Sequence, residues 1–158
     1  MRRQRRVLLE KYDDGHVEMI GLVLVSHGAL AEALRDAMEH VVGPQRNVAT
    51  VAVGADTDIE QQRAEVASRV AEVDMGDGVV VLTDMFGGTP CNLAMSMLAR
   101  PGVEVLAGMN LPMLVKLAKI RGTYGLIEAV HCAEAAGRKY IATGSDVLHA
   151  SLPGRAIG

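Results

Sequence analysis

The chain has 158 residues, 49% of them hydrophobic and 22% charged, so it is long and apolar enough to fold as one domain around a packed core. Its net charge of −3 gives no overall positive field for nucleic acids or other polyanions. Only 3% of the residues are aromatic, which argues against sugar or single-stranded nucleic-acid sites built on stacking platforms. No apolar run approaches the roughly 18 residues of a membrane-spanning helix, so we expect no direct membrane insertion.

The two ends of the chain differ from its middle. Residues 1–18 hold five basic and four acidic side chains, which leaves the rest of the chain with a net charge of −4. Because no apolar stretch follows the arginines of this segment, it is predicted to be a disordered basic leader and not an export signal. The folded domain is expected at 19–145 and an irregular tail at 146–158. Cys91 and Cys132 lack metal-binding spacing and are typical of free thiols in a cytoplasmic protein.

The first half of the domain alternates strands and helices. The apolar run at 19–25 predicts a strand buried on both faces, and apolar residues at three- or four-residue steps predict a helix over 29–42. A second strand is predicted at 48–53. The next helix opens with a capping box in which Thr57 is the N-cap residue. Its inward-facing residues are predicted to be Ile59, Val66, Val70 and Val73.

The second half continues the alternation and defines the fold class. The predicted elements are a strand at 79–83, a helix that begins at Thr89-Pro90, a strand at 103–107, a helix that begins near Asn110, a helix at 124–136 and a short strand at 140–143. Strands that alternate with helices predict an α/β fold, with a doubly wound, mainly parallel sheet covered by helices on both faces.

A histidine and an aspartate are expected to meet at one edge of this sheet. Ligands of open parallel sheets bind beyond the carboxyl ends of the strands, and His27 follows the first strand while Asp84 follows the third. A carboxylate bonded to one ring nitrogen of a histidine fixes its tautomer and leaves the other nitrogen as a nucleophile. The alternatives are a structural histidine, a simple turn aspartate and a metal site. The metal site is disfavoured because no third ligand lies nearby in the sequence.

A glycine-rich turn follows Asp84. Gly87 and Gly88 allow a ligand to approach the backbone, and Thr89 can cap the next helix and offer its hydroxyl. The N-terminus of that helix carries free N–H groups and a partial positive charge, which suits an anion such as a phosphoryl group. The turn matches neither the Walker loop nor GxGxxG, so a nucleotide is not indicated.

Three segments together resemble a known family. GLVLVSHG at 21–28, LTDMFGGTPCN at 82–92 and GMNLPML at 108–114 are similar to the enzyme IIA domain of the mannose family of the phosphoenolpyruvate-dependent sugar phosphotransferase system (PTS). The resemblance implies that His27 accepts a phosphoryl group from phospho-HPr, the phosphohistidine carrier protein, and that Asp84 orients its ring. It requires no cofactor and no metal.

The same resemblance assigns the surrounding residues. Gly87, Gly88 and Thr89 are expected beside the phosphoryl group, and Ser26, Phe86 and Asn110 at the interface with the partner protein. Members of the family often have Thr in place of Ser26 and Trp in place of Phe86, and both changes preserve the chemistry.

The partners implied by the resemblance leave alternatives open. The phosphoryl group is passed to a separate IIB protein or serves as a regulatory signal, and a homodimer that exchanges the weak segment 140–148 is expected. The runner-up functions are a regulatory binding module without sugar transport and the phosphoryl-transfer subunit of dihydroxyacetone kinases. The GGTP turn argues against the second of these.

Overall fold

The computed structural model describes residues 18–150. The predicted leader lies outside this range except for its last residue, and so does the part of the predicted tail after residue 150. The strands are β1 (Gly21–His27), β2 (Val48–Val53), β3 (Val79–Thr83) and β4 (Val103–Ala107). The α-helices are α1 (Leu30–Val42), α2 (Ile59–Val73), α3 (Thr89–Met95), α4 (Leu111–Ile120), α5 (Leu126–Lys139) and α6 (Gly144–Ala150).

The four strands form one parallel sheet in the order β2-β1-β3-β4. His27 pairs with Val53 of β2, and Val25 pairs with Thr83 of β3. Thr83 in turn pairs with Ala107 of β4, so the carboxyl ends of all four strands lie along one rim. The predicted fold class is confirmed, and the loops that follow β1 and β3 are brought side by side.

Alternate residues of the central strands enter two separate cores. Leu22 and Leu24 of β1 pack beneath α1, α4 and α5, whereas Val23 and Val25 pack beneath α2 and α3. Burying a Val or Leu side chain contributes about 1.5–3 kcal/mol, so these two layers stabilise the sheet from both faces. His27 continues the series of Val23 and Val25, and its side chain therefore leaves the sheet on the face covered by α2 and α3.

A buried arginine ties together the amino-terminal ends of β1 and β2. The Arg121 guanidinium, just after α4, donates hydrogen bonds to the backbone oxygens of Ile20, Arg46 and Asn47 and to the side-chain oxygen of Gln45. Burial lowers the pKa of Arg121 to about 10, so the side chain stays protonated at neutral pH. This end of the sheet is held by a cation surrounded by neutral acceptors.

The predicted strand at 140–143 is wrong. Helix α5 continues to Lys139, and the segment after it forms local turns in which the Ile141 N–H donates to the oxygen of Arg138. Helix α6 then occupies five residues of the predicted irregular tail, and none of its residues is buried. A strand needs a neighbour for its N–H and C=O groups, and residues 140–143 pair with none of the four strands of the sheet. The exchange of segment 140–148 in a dimer stays a prediction.

The start of α2 also differs from the prediction. Asp58 is the N-cap residue, and its carboxylate accepts hydrogen bonds from the N–H groups of Glu60 and Gln61. Thr57 instead donates its hydroxyl to the oxygen of Gly54. Ile59 is 45% exposed and so does not belong to the predicted inward-facing row. Thr57 and Asp58 can both cap a helix, but the Thr57 hydroxyl is bonded to Gly54 and the Asp58 carboxylate binds the first turn.

Candidate functional site

His27 is the last residue of β1 and lies at the rim of the sheet. The His27 side chain is 54% exposed, although the rest of β1 is buried. Its Nδ1 lies 2.8 Å from Asp84 Oδ2, and its backbone N–H donates to the same oxygen over 2.9 Å. One carboxylate oxygen therefore holds both the backbone and the ring of the histidine, as the sequence predicted from the adjacent strand ends.

Asp84 is in turn held at the end of β3. Its other oxygen, Oδ1, accepts a hydrogen bond from the Met85 N–H over 3.0 Å, and its side chain is only 10% exposed. Burial on its own raises the pKa of Asp84. The hydrogen bonds from the backbone and ring of His27, together with the positive charge of a protonated ring, outweigh burial and hold the pKa of Asp84 below its ordinary value. The carboxylate is thus fixed in its charged form beside the ring.

The free edge of the His27 ring lies against the glycine turn. With Nδ1 donating to Asp84, the neutral ring carries its lone pair on Nε2. A Cβ added to Gly88 would lie 3.5 Å from both Nε2 and Cε1 of His27. Gly88 has φ 83° and ψ 176°, a conformation that is essentially restricted to glycine. The glycine therefore leaves space beside the nucleophilic nitrogen and permits the turn.

Gly88, and not Thr89, is the N-cap residue of α3, which corrects the predicted capping role of the threonine. Thr89 is the first helical residue and is partly exposed, and the cap has no side-chain hydrogen bond. Gly87 precedes it with φ 94° and open space around its Cα. The N–H groups of the first turn of a helix have no intrahelical acceptor, so this turn presents donors next to His27.

Ser26 supports the loop from inside the protein. Its side chain is fully buried, its hydroxyl donates to the oxygen of Gly28 over 3.1 Å, and it accepts from the Ala31 N–H over 2.7 Å. A buried hydroxyl does not reach a partner protein, so the predicted interface role of Ser26 is replaced by a structural one. It joins the end of β1 to the start of α1 and so fixes the backbone of His27.

The two other predicted interface residues differ from each other. Phe86 is 79% exposed at the tip of the loop after β3, beside the exposed Met85, as a contact with a partner requires. Asn110 is engaged within the chain, because its Oδ1 accepts from the Met113 N–H and its Nδ2 donates to the oxygen of Gly137. Asn110 is the N-cap residue of α4, and its interface role stays an untested prediction.

Gln62 of α2 is a residue that the sequence interpretation missed. It is buried, with 8% of its surface exposed, and its Oε1 has no hydrogen-bond partner within residues 18–150. Leaving a buried polar group unpaired costs about 1–3 kcal/mol. The signal was present in the sequence, since Gln62 extends the predicted inward series of Val66, Val70 and Val73 by one turn.

A cavity of the protein lies away from these residues. It has a volume of about 520 Å³ between β4 and α5, and its lining includes Glu104, Ile127, His131 and Arg138 but neither His27 nor Asp84. His27 and Asp84 instead lie at the rim of the sheet, where 54% of the His27 side chain is exposed. Within the described part of the chain, no three His, Cys, Asp or Glu side chains are grouped to hold a metal ion. No helix among residues 18–150 is both long and apolar enough to cross a membrane.

An exposed histidine oriented by a carboxylate, on the rim of a parallel sheet, is an arrangement that allows a histidine to act as a nucleophile. The family profile EIIA-man, described as PTS system fructose IIA component, matches residues 21–133. The chain belongs to this family of PTS IIA components. The resemblance inferred from the sequence motifs is thereby confirmed.

Known proteins similar to the chain carry related names. The mannose-specific EIIAB component of Escherichia coli K12 is 36% identical over 107 residues, which are 65% of this chain and 32% of that protein. The chain thus spans about a third of the length of this relative. The fructose-specific EIIA component of Bacillus subtilis is 28% identical over 65% of this chain and 71% of its own. The mannose/sorbose-specific IIA subunit of Enterococcus faecalis is 31% identical, with a TM-score of 0.70 over 79% of this chain and 94% of that structure.

Proposed function

We propose that this protein is a phosphoryl carrier that accepts a phosphoryl group from phospho-HPr on Nε2 of His27. The observation that carries the proposal is the contact between His27 Nδ1 and Asp84 Oδ2 at 2.8 Å. It holds the tautomer in which Nε2 is unprotonated, and 54% of the ring is exposed to an incoming donor.

The chemistry follows from this arrangement. The Nε2 lone pair of His27 forms a bond to phosphorus while the bond between phosphorus and the donor histidine breaks, and that electron pair stays on the donor nitrogen. The ring becomes a phosphorylated imidazolium that keeps its proton on Nδ1, and the Asp84 carboxylate balances the charge. The N–H groups after Gly88 and the Thr89 hydroxyl are placed to stabilise the phosphoryl oxygens, because positioning and electrostatics supply most of the catalysis of phosphoryl transfer.

A protein donor suits the shape of the site. His27 stands on an open rim beside the exposed side chains of Met85 and Phe86, outside the lined cavity. An apolar group presented next to a reactive side chain is typical of a contact with another protein. We place Phe86 in this contact with HPr.

The proposed acceptor is a IIB unit. The Escherichia coli relative is named an EIIAB component, and this chain matches about a third of it. A IIB unit attacks the same phosphorus from the exposed side after HPr leaves, which returns His27 to its starting form. A regulatory target that reads the phosphorylated state is the second acceptor class. In either case the reaction is a cytoplasmic one, since the PTS donor chain begins with phosphoenolpyruvate.

Labelling tests the proposal. With radioactive phosphoenolpyruvate, enzyme I and HPr, we expect the wild-type chain to take up label and His27→Ala to take up none. His40→Ala is the matched control, since His40 is an exposed histidine on α1, and it is expected to label like wild type. Label on His27→Ala, or an unlabelled wild-type chain in the presence of phosphorylated HPr, contradicts the proposal.

A further inference from the structure

A glutamine on α2 belongs to the row of residues that face the sheet beneath His27. Gln62, Val66, Val70 and Val73 are the buried residues of α2, at spacings that place them on one side of a helix. The three valines pack against Val23 and Val25 of β1 in the second core. Gln62 is thus the polar end of an otherwise apolar row, on the same face of the sheet as the His27 side chain.

The position of Gln62 along the direction of β1 follows from the packing of the other end of α2. A Cβ added to Gly21, the first residue of β1, would collide with the carbonyl oxygen of Val73. From Val73 back to Gln62, the helix rises by about 16 Å. The strand covers the same distance of about 16 Å between Gly21 and Ser26. Gln62 is therefore level with the carboxyl end of β1, where His27 begins the site.

We propose that Gln62 is a further phosphoryl-binding residue of the site, and that its carboxamide binds the group carried on His27. The inference rests on the proposed function. An observation and a derived position carry it. Oε1 of Gln62 is buried without a partner within residues 18–150, and the rise of α2 from Val73 brings Gln62 level with the end of β1 on the face of the His27 side chain. The other buried polar side chains at this rim in residues 18–150, Ser26 and Thr83, both have hydrogen-bond partners within the chain.

The carboxamide has the chemistry that a transferred phosphoryl group requires. It offers two N–H donors and one acceptor, and a half turn about its last bond exchanges them with little change in shape. In this structure, Oε1 of the carboxamide has no hydrogen-bond partner within residues 18–150. When His27 carries the phosphoryl group, the Gln62 NH2 donates to a phosphoryl oxygen and favours the phosphorylated form. The amide is neutral, so it adds a donor to the site without a further charge.

The equilibrium of transfer between HPr and this chain is the direct test. Gln62→Leu removes the donors at nearly constant volume, and we expect it to shift the equilibrium toward phospho-HPr by about tenfold, the effect of a hydrogen bond to a charged group. Gln61→Leu is the matched control, because Gln61 is the exposed neighbour on the same helix, and it leaves the equilibrium unchanged. A wild-type equilibrium in Gln62→Leu overturns the inference but not the phosphoryl carrier. A wild-type chain that HPr does not phosphorylate overturns both.

Two further measurements separate binding from a structural role. Unphosphorylated Gln62→Leu is expected to melt at or above the wild-type temperature, since an unpaired buried amide has been removed. In the wild-type chain, the side-chain NH2 signals of Gln62 in a 15N–1H correlation spectrum are expected to shift on phosphorylation, and those of Gln61 are not. Unmoved Gln62 signals, or a loss of stability without a change in transfer, contradict the inference. If Gln62→Leu does not fold, Gln62→Met provides the same test with a flexible side chain.

Discussion

Two nitrogen-bearing side chains lie at opposite ends of the sheet, and their surroundings differ. At the amino-terminal end, Arg121 is buried and its guanidinium donates to four oxygen atoms. At the carboxyl end, the ring of His27 is 54% exposed and is held through Nδ1 alone. Both groups are fixed in orientation, but only the histidine keeps an uncommitted atom that faces outward.

The hydrogen bonds of Arg121 and His27 illustrate two different uses of a polar side chain. The Arg121 guanidinium joins the segments that precede β1 and β2 by donating to the oxygens of Ile20, Arg46 and Asn47. His27 contributes little to packing, and Asp84 holds it in the one tautomer that leaves Nε2 available. A buried guanidinium whose N–H groups are hydrogen-bonded stabilises the fold. An exposed imidazole that is held through one nitrogen leaves its other nitrogen available for a reaction.

The largest effect is expected at the structural end. Arg121→Met removes the hydrogen bonds to the oxygens of Ile20, Arg46 and Asn47, of which the Asn47 oxygen keeps a bond from the Leu22 N–H. We expect the free energy of unfolding to fall by about 3 kcal/mol, measured by urea denaturation, because hydrogen bonds to charged groups contribute about 1.5–3 kcal/mol each and water replaces part of them. Phosphorylation of His27, per folded molecule, is expected to stay at the wild-type rate. Arg100→Met, at an exposed position, is the control. A slowed transfer in folded Arg121→Met would remove the distinction between the two ends.

The next effect concerns the orientation of the ring. Asp84→Asn keeps the shape of the side chain but removes the charged acceptor of the His27 Nδ1–H. We expect phosphoryl transfer to slow by about 10- to 100-fold, the equivalent of one hydrogen bond to a charged group. Rapid-quench measurement with phospho-HPr gives the rate, and circular dichroism verifies that the fold is kept. An unchanged rate would show that the carboxylate does not assist transfer.

A pair of glycines tests the space beside Nε2. Gly87→Ala and Gly88→Ala both place a side chain at positive φ, but only the methyl group of Gly88→Ala lies 3.5 Å from the His27 ring. We expect Gly88→Ala to slow transfer about fivefold more than Gly87→Ala, a steric cost on the order of 1 kcal/mol. Equal rates for the two variants would place the phosphoryl group away from Gly88.

The strand and helix order could be read from the sequence because local patterns determined it. Continuous apolar runs gave β1 and β3, and the alternation with helices gave the parallel sheet. The strand predicted at 140–143 was wrong because local strand-forming residues such as Tyr140 and Thr143 do not decide pairing, which is a property of the whole fold. The N-cap of α2 was predicted at Thr57 instead of Asp58 because both of these adjacent residues have side chains that can cap a helix.

The part of the site that follows from the sheet topology could be predicted from the sequence. The carboxyl ends of adjacent parallel strands had to bring His27 and Asp84 together. The burial of Ser26 was not predictable, since it depends on the turn into α1 that its hydroxyl stabilises. Arg121 was missed because its acceptors come from segments about 75 to 100 positions away in the chain, and no local pattern marks them.

The smallest effect is a pH dependence that belongs to the His27–Asp84 pair. The pKa of Asp84 is lowered in the folded protein, so below the unfolded value of about 3.9 the unfolded chain binds a proton that the folded chain does not. The stability that Asp84 contributes is therefore complete above that value and is lost as the pH falls through the lowered folded pKa. We expect wild type to lose its stability advantage over Asp84→Asn in this acid range, measured by urea denaturation at successive pH values between 6 and 3. Parallel curves for the two proteins would mean that the contact between Asp84 and His27 orients the ring without stabilising the fold.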